Sequence, residues 1–201
     1  MNSQINGGKG YLFIVSGPSG VGKTVLCNAI VNQFAPAVLY SISTTSRAPR
    51  GGETDGQEYN FCTAAEFEAA IKRDEFAEWA FVHGNYYGTP RQFLTDNLSA
   101  GRHVILNIDV QGAMKIRAGY SEAIMIFILP PTFEELESRI RKRNMDSENS
   151  LLHRLENARQ ELSYQNQYQH VIVNDNLEIA KNELIRIFSG YISCPATASQ
   201  A

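Results

Sequence analysis

The sequence predicts an α/β fold: a parallel sheet flanked by helices, interrupted by a small mixed α+β insertion and extended by a helical lid. Three observations predict it. An apolar run, Tyr11–Val15, passes through a glycine-rich turn into Val25–Val31, whose apolar residues recur at helical spacing. Apolar strands then alternate with helical segments after Pro90, the rhythm of a parallel sheet covered on both faces. Between these stretches, Ser41 to Pro90 changes texture to short β-like pieces and turn residues around one helix.

In order, Tyr11–Val15 reads as a buried strand and Ala37–Tyr40 as a second. Inside the insertion, Thr63-Ala64-Ala65-Glu66 is a capping box opening a helix to about Arg73. Phe76–Val82 is a strand, and Gly84-Asn85 and Gly88-Thr89-Pro90 read as turns. A helix follows at about Arg91–Leu98, then the strand Val104–Ile108, a short helix near Ala113–Arg117 and the apolar strand Ile124–Leu129, stopped by Pro130-Pro131. Thr132 caps a helix carrying Arg139, Arg141, Lys142 and Arg143. The polar stretch Asn144–Asn149 separates it from a second charged helix, about Ser150–Tyr164. His170–Val173 is the last strand and Leu177–Phe188 the last helix. These limits divide the chain into a core of 1–41, 91–132 and 165–201, an insertion of 42–90 and a lid region of 133–164.

The 201 residues suffice for one α/β domain with insertions, and 43% hydrophobic with 19% charged residues is ordinary globular composition. A net charge of −3 leaves no overall basic field, so nucleic acid is not an expected partner. Nothing approaches a membrane span or a signal peptide. Cys27, Cys62 and Cys194 have neither metal-ligand spacing nor a disulfide pattern, which points to the reducing cytoplasm.

The glycine-rich turn is Gly17-Pro18-Ser19-Gly20-Val21-Gly22-Lys23-Thr24, the G-x-x-x-x-G-K-[ST] pattern of a P-loop, in the strand–turn–helix context that gives it meaning. Glycines let backbone N–H groups converge on phosphate oxygens, and the helix start adds unpaired donors. Lys23 is placed for the β- and γ-phosphates of a nucleoside triphosphate, and the Thr24 hydroxyl for Mg²⁺. Other side chains suit anions or polar ligands. Arg47 and Arg50 lie among hydroxyl residues and suit bidentate phosphate binding, or form a solvated basic loop. Tyr59 and Tyr86-Tyr87 either donate hydroxyls to the same anion or pack in the small sheet. Strand alternation places Glu78 on one face with Phe76, Ala80 and Val82, where a carboxylate needs a partner. Guanine would supply one, with adjacent N1–H and N2 donors, and the hydroxyls of Ser43 and Thr89 suit its O6; otherwise Glu78 is a surface glutamate at a strand edge. Asn107 and Asp109 fall at the C-terminal end of a parallel strand, where α/β sheets bind ligands and P-loop enzymes place an acid for Mg²⁺, or they are simply a polar strand terminus. Arg139 and Arg143 share one helix face, and Arg154 sits on the next helix. They either close over a triphosphate or form surface ion pairs with nearby glutamates.

Taken together these stretches resemble the guanylate kinases. The matching text includes Ser16–Thr24, Thr45–Arg50 with Gly52-Glu53 and Asp55-Gly56, Tyr59–Phe61, Glu78-Trp79, Gly84–Thr89, Ile108–Gly112, Ile128–Pro131 and Val173–Asp175. They run in family order over nearly the whole chain. The resemblance implies a P-loop core, a GMP-binding insertion and a mobile lid, acting in ATP-dependent phosphorylation of GMP and dGMP with Mg²⁺. ATP-binding residues would be Gly17–Thr24 and, beside adenine, Asn174. GMP-binding residues would be Ser43, Arg47, Arg50, Tyr59, Glu78, Tyr87, Thr89 and Asp109. Lys23, Arg50, Arg143 and Arg154 would act on the transferring phosphate, and Thr24 and Asp109 on the metal, through water. Three departures stand out: Asn107 where the family usually has aspartate, Asn144 where it has glycine, and Ser46 where it has threonine. Two alternatives stay open on the residues: a catalytically silent peptide-binding module of the same family, and a kinase of phosphorylated sugars. A homo-oligomer is also compatible with the sequence.

Overall fold

The computed structural model describes residues 8–82, 84–143 and 148–192, with the backbone only at 143 and 148–150. Asn144 and Cys194 lie outside the described residues, as does the side chain of Arg143.

The main sheet is five-stranded. Its strands are β1 (Leu12–Ser16), β2 (Val38–Tyr40), β7 (His103–Asn107), β8 (Ile124–Leu129) and β9 (His170–Val173), ordered β2-β7-β1-β8-β9 with every pairing parallel. β1 is central and buried along its whole length, which explains its unbroken apolar run. Alternate residues serve opposite faces. Phe13 and Val15 join one core with helices α1 (Lys23–Phe34) and α7 (Leu177–Tyr191), reinforced by Phe13 stacked on Phe188 at 3.8 Å. Leu12 and Ile14 join the other with Leu94 of α3 (Arg91–Ser99) and Val110, Ala113 and Ile116 of α4 (Val110–Gly119). The helix α4 is longer than Ala113–Arg117, because Asp109 caps it: its Oδ1 accepts from the backbone of Gln111 (2.7 Å) and Gly112 (3.0 Å). The charged helices α5 (Phe133–Arg143) and α6 (Glu148–Leu162) connect β8 to β9 and send Leu136, Ile140, Leu151, Leu155 and Ala158 into the first core. Among the described residues no helix is long and apolar enough to cross a membrane.

The second sheet comes from residues 44–90. Its strands β3 (Thr44–Thr45), β4 (Asn60–Phe61), β5 (Phe76–Val82) and β6 (Asn85–Pro90) are ordered β4-β3-β6-β5. The helix α2 (Ala64–Lys72) begins at the expected capping box and covers one face through Phe67 and Ala70.

Two expectations are corrected here. Gly88-Thr89-Pro90 is not a turn but part of β6, paired with both β3 and β5. Gly88 is small because a Cβ there would stand 2.8 Å from the Phe76 ring and 2.9 Å from Phe67. The turn is Gly84, with φ of 79°. Nor does Phe76 share a face with Glu78. The register slips between them, so Phe76 packs with Phe67 and Tyr86 under α2 while Glu78 faces the main domain. Strict alternation fails at this one bulge.

Candidate active site

A cleft of about 1000 Å³ runs between the two sheets. One wall is the turn after β1 and the start of α1; the other is the small sheet; α6 lies across one end.

Gly17, Ser19, Gly20, Gly22, Lys23 and Thr24 line the cleft, whereas Pro18 and Val21 turn inward. Gly22 begins α1 at φ 100° with no side-chain cap, which leaves the first N–H groups of the helix to a ligand. Lys23 Nζ donates to the carbonyls of Gly17 (2.5 Å) and Pro18 (3.0 Å), folding back over the loop. Asn174 lies behind the loop and is buried; its side-chain amide donates to Val21 O over 2.8 Å, and its backbone carbonyl accepts from Arg139 at 3.1 Å. Asn174 therefore braces the loop rather than facing the cleft. A side chain at residue 22 would run into that amide at 2.5 Å, so the glycine and the asparagine require each other. Thr24 Oγ1 accepts from Asn107 Nδ2 at 3.1 Å, and the same amide donates to the Tyr40 hydroxyl at 3.0 Å. Asn107 is thus the neighbour of Thr24, while Asp109 lines the cleft farther along and spends one oxygen on its helix cap.

On the opposite wall, Glu78 is the central group. It is buried, and Thr89 Oγ1 donates to its Oε1 at 2.7 Å, so the Thr89 hydroxyl points at the carboxylate and not into the cleft. Burial pushes the Glu78 carboxyl up to about 7, aided by the charge of Asp109 and opposed by Thr89 and Lys115. Gly112 of α4 sits against it: a Cβ there would lie 2.9 Å from Glu78 Oε2. Core helix and insertion strand therefore meet at a glycine–carboxylate contact. Ser43, Arg50, Tyr59 and Tyr87 also line this wall, with the Tyr59 and Tyr87 rings edge to face at 5.9 Å. Burial raises the Tyr59 hydroxyl pKa. Tyr86 is separate from them, stacked on Phe67 at 5.1 Å with its hydroxyl on Glu68.

Arg47 and Arg50 are organised by Glu53. Its Oε1 takes Arg47 Nη2 at 2.9 Å and its Oε2 takes the Arg50 backbone N–H at 2.7 Å. Arg47 lies over the Tyr59 ring at 5.4 Å, and hydrogen bonding to Glu53 keeps its guanidinium firmly protonated. Arg154 of α6 reaches the loop directly, Nη2 to Ser19 Oγ at 3.1 Å. Arg139 is held by Glu135 at 2.9 Å and by Asn174, outside the cleft. Glu53, His153 and Glu161 line the cleft, and Gly112 packs behind Glu78, without having been picked out as site residues. Glu53 and Gly112 stand inside the matched motifs, which was their only signal. His153 and Glu161 had none, because a charged helix shows its cleft face only once folded.

A P-loop at a helix start, an arginine of α6 bonded to it and a facing wall of polar side chains fit the class of nucleotide-binding phosphotransferases. The Guanylate kinase family model matches residues 9–191. Guanylate kinases of Fusobacterium nucleatum and Caldanaerobacter subterraneus are 47% and 44% identical to the chain, covering 89% and 88% of it and 95% and 85% of their own lengths. The crystal structure of guanylate kinase from Anaplasma phagocytophilum superimposes with a TM-score of 0.72 at 33% identity, covering 90% of this chain and 85% of that one. The chain belongs to the guanylate kinase family and is a nucleoside monophosphate kinase.

Proposed function

We propose that the enzyme transfers the γ-phosphoryl group of ATP reversibly to GMP, and to dGMP, giving ADP and GDP or dGDP. The observation that carries this reading is the single cleft joining a P-loop to the buried carboxylate of Glu78. A carboxylate aimed by Thr89 matches the N1–H and N2 donors of guanine and opposes the N1 acceptor of adenine, so the wrong base leaves buried polar groups unpaired. Ser43 and Asp109 flank the same pocket. Arg50, Tyr59 and Tyr87 hold the GMP phosphate, with Arg47 supporting them through Glu53 and Tyr59.

A GMP phosphate oxygen attacks the γ-phosphorus in line, the bond to the β–γ bridging oxygen breaks, and ADP leaves with that electron pair. No covalent enzyme intermediate is needed. The protein positions two anions and offsets their repulsion with the N–H groups of Gly17–Thr24, with Lys23, and with Arg50, Arg143 and Arg154. The donors at Thr24, Asn107 and Asp109 fit Mg²⁺, a hard cation that keeps several waters and shares its ligands with phosphates. Thr24 would hold it, with Asn107 and Asp109 orienting its waters. The ion would supply charge neutralisation on the triphosphate. Asn174 acts on ATP through the loop it braces. Residues 42–90 form the GMP-binding insertion and 133–164 the lid. The reading places the enzyme in cytoplasmic purine nucleotide metabolism, with ATP and GMP as its small-molecule partners and neither nucleic acid nor membrane involved.

A coupled assay across GMP, dGMP, AMP, UMP, CMP and sugar phosphates tests it. GMP and dGMP are expected to be turned over far faster than the rest; AMP or a sugar phosphate turned over as fast as GMP overturns the guanine reading.

A further inference from the structure

Three elements each bring one polar side chain to the C-terminal end of the main sheet. Tyr40 ends β2, Asn107 ends β7 and Thr24 stands in the first turn of α1, and all three line the cleft. Tyr40 is paired with Ile105, two residues before Asn107, so Tyr40 and Asn107 share the sheet face that α1 covers. Asn107 Nδ2 donates to the Tyr40 hydroxyl at 3.0 Å and to Thr24 Oγ1 at 3.1 Å, which commits both of its hydrogens. Its Oδ1 has no hydrogen-bond partner among the described residues. The Tyr40 ring packs against the first core, and burial raises its hydroxyl above the ordinary tyrosine range, so the group is neutral at working pH.

The last torsion of an asparagine side chain is soft, and one hydrogen bond leaves the carboxamide free to turn about it. Two partners on different elements pin the nitrogen, and because the group is planar they pin the oxygen with it. Thr24 Oγ1 in turn spends one of its two acceptor positions on Asn107 and keeps the other. The cluster therefore offers two oxygens with unspent acceptor capacity beside the phosphate loop, and it brings no charge of its own. Neutral oxygen acceptors suit a hard cation that arrives with phosphates and keeps several waters. We propose that Tyr40 is a positioning residue for Mg·ATP: through Asn107 it holds Thr24 Oγ1 and Asn107 Oδ1 in the orientation that receives the cation. The inference rests on the reading of Gly17–Thr24 as the ATP site and deepens it. Tyr40 acts only through Asn107, so its effect belongs to the share of ATP affinity that the cation contributes.

That share is read as a ratio: ATP affinity with Mg²⁺ over ATP affinity with EDTA, both from competition against a fluorescent ATP analogue. Tyr40→Phe keeps the ring and its packing. It is expected to shrink the ratio about fivefold, the scale of one lost hydrogen bond, with ATP binding in EDTA and the KM for GMP unchanged. Asn107→Ala is expected to shrink the ratio at least as far, and Tyr40→Phe added to Asn107→Ala to change nothing more. Asn107→Asp can accept from both hydroxyls and adds charge toward the cation, so it is expected to widen the ratio. An unchanged ratio in Tyr40→Phe, an equal loss of ATP binding with and without Mg²⁺, or a full Tyr40→Phe effect in the Asn107→Ala background overturns the proposal. So does an Asn107→Asp ratio as low as that of Asn107→Ala. If Tyr40→Phe does not fold, Tyr40→Met, flexible enough to fill the same space, takes its place under the same criteria. A wild type that binds no ATP, or a Lys23→Met variant that binds it equally well, would instead remove the ATP-site reading, so the two failures are distinguishable.

Discussion

The two walls of the cleft are made in different ways. On the P-loop side the ligand-facing groups come from consecutive residues, Gly17 to Thr24, and most are backbone N–H groups at a helix start. The loop stands on the fully buried strand β1 and is braced from behind by Asn174. On the other side the groups are side chains gathered from separate segments between Ser43 and Tyr87, about a small sheet whose own buried core is Phe67, Ala70 and Phe76. Under the proposed function, phosphate recognition is written into one short segment, whereas base recognition depends on how separate segments pack. The contrast also predicts that damage on the first wall is local and damage on the second spreads.

The largest test strikes the first wall. Lys23→Met is expected to lower kcat by about 10³-fold while leaving GMP affinity within a small factor, since one preorganised electrostatic donor carries roughly that much. Steady-state kinetics with GMP varied checks it; a comparable rise in the KM for GMP would show that the walls are coupled.

Next, Glu78→Gln is expected to cut kcat/KM for GMP by about 10²-fold and to erode its preference over AMP, because the amide presents a donor where guanine needs an acceptor. Far-UV circular dichroism should remain native. An unchanged base preference removes Glu78 from its role.

Gly112→Ala probes the packing between the walls from a position with no ligand-facing side chain. The new Cβ would press on Glu78 Oε2 from 2.9 Å. The KM for GMP is expected to rise about tenfold, and stability to fall by about 1–3 kcal/mol from overpacking. If the variant is instead more stable, as alanine makes an open helix, the contact does not govern the site.

The smallest effect is on pH. The folded Glu78 carboxyl titrates near 7 against an ordinary 4.5, so the folded protein holds a proton that the unfolded chain releases. Its stabilising share is full below the ordinary value and is lost as pH rises through 7. Thermal melts of nucleotide-free protein are expected to show stability falling between about pH 5 and pH 8, by on the order of 2 kcal/mol for this group. Glu78→Gln should flatten that slope; an identical slope in the variant assigns it to other groups.

The legibility of the sequence follows the same division. The strand Phe76–Val82 and the capped helix after Thr63 are local patterns, and they stand where the residues place them. Gly88-Thr89-Pro90 reads as a turn because its composition is turn-like, yet tertiary packing uses it as strand, with Gly88 making room for two phenyl rings. The bulge beside Ala77 leaves no mark on hydrophobic alternation, so the face of Phe76 was misread while that of Glu78 was not.

Residue order alone determined the P-loop, the alternation of strands and helices, and the presence of a carboxylate with nearby hydroxyls, because each depends on neighbours a few positions apart. Only the tertiary structure decided that Thr89 aims Glu78, that Glu53 organises Arg47 and Arg50, that Asn174 stands behind the loop, and that Glu161 lines the same cleft. Asn174 and Val21 are 153 positions apart, and even the nearer partners, Glu78 with Thr89 and Glu53 with Arg47 and Arg50, meet through the way strands and turns fold back. These relations are set by which faces of β5, β6 and α6 the two cores bury, and burial is a property of the assembled molecule.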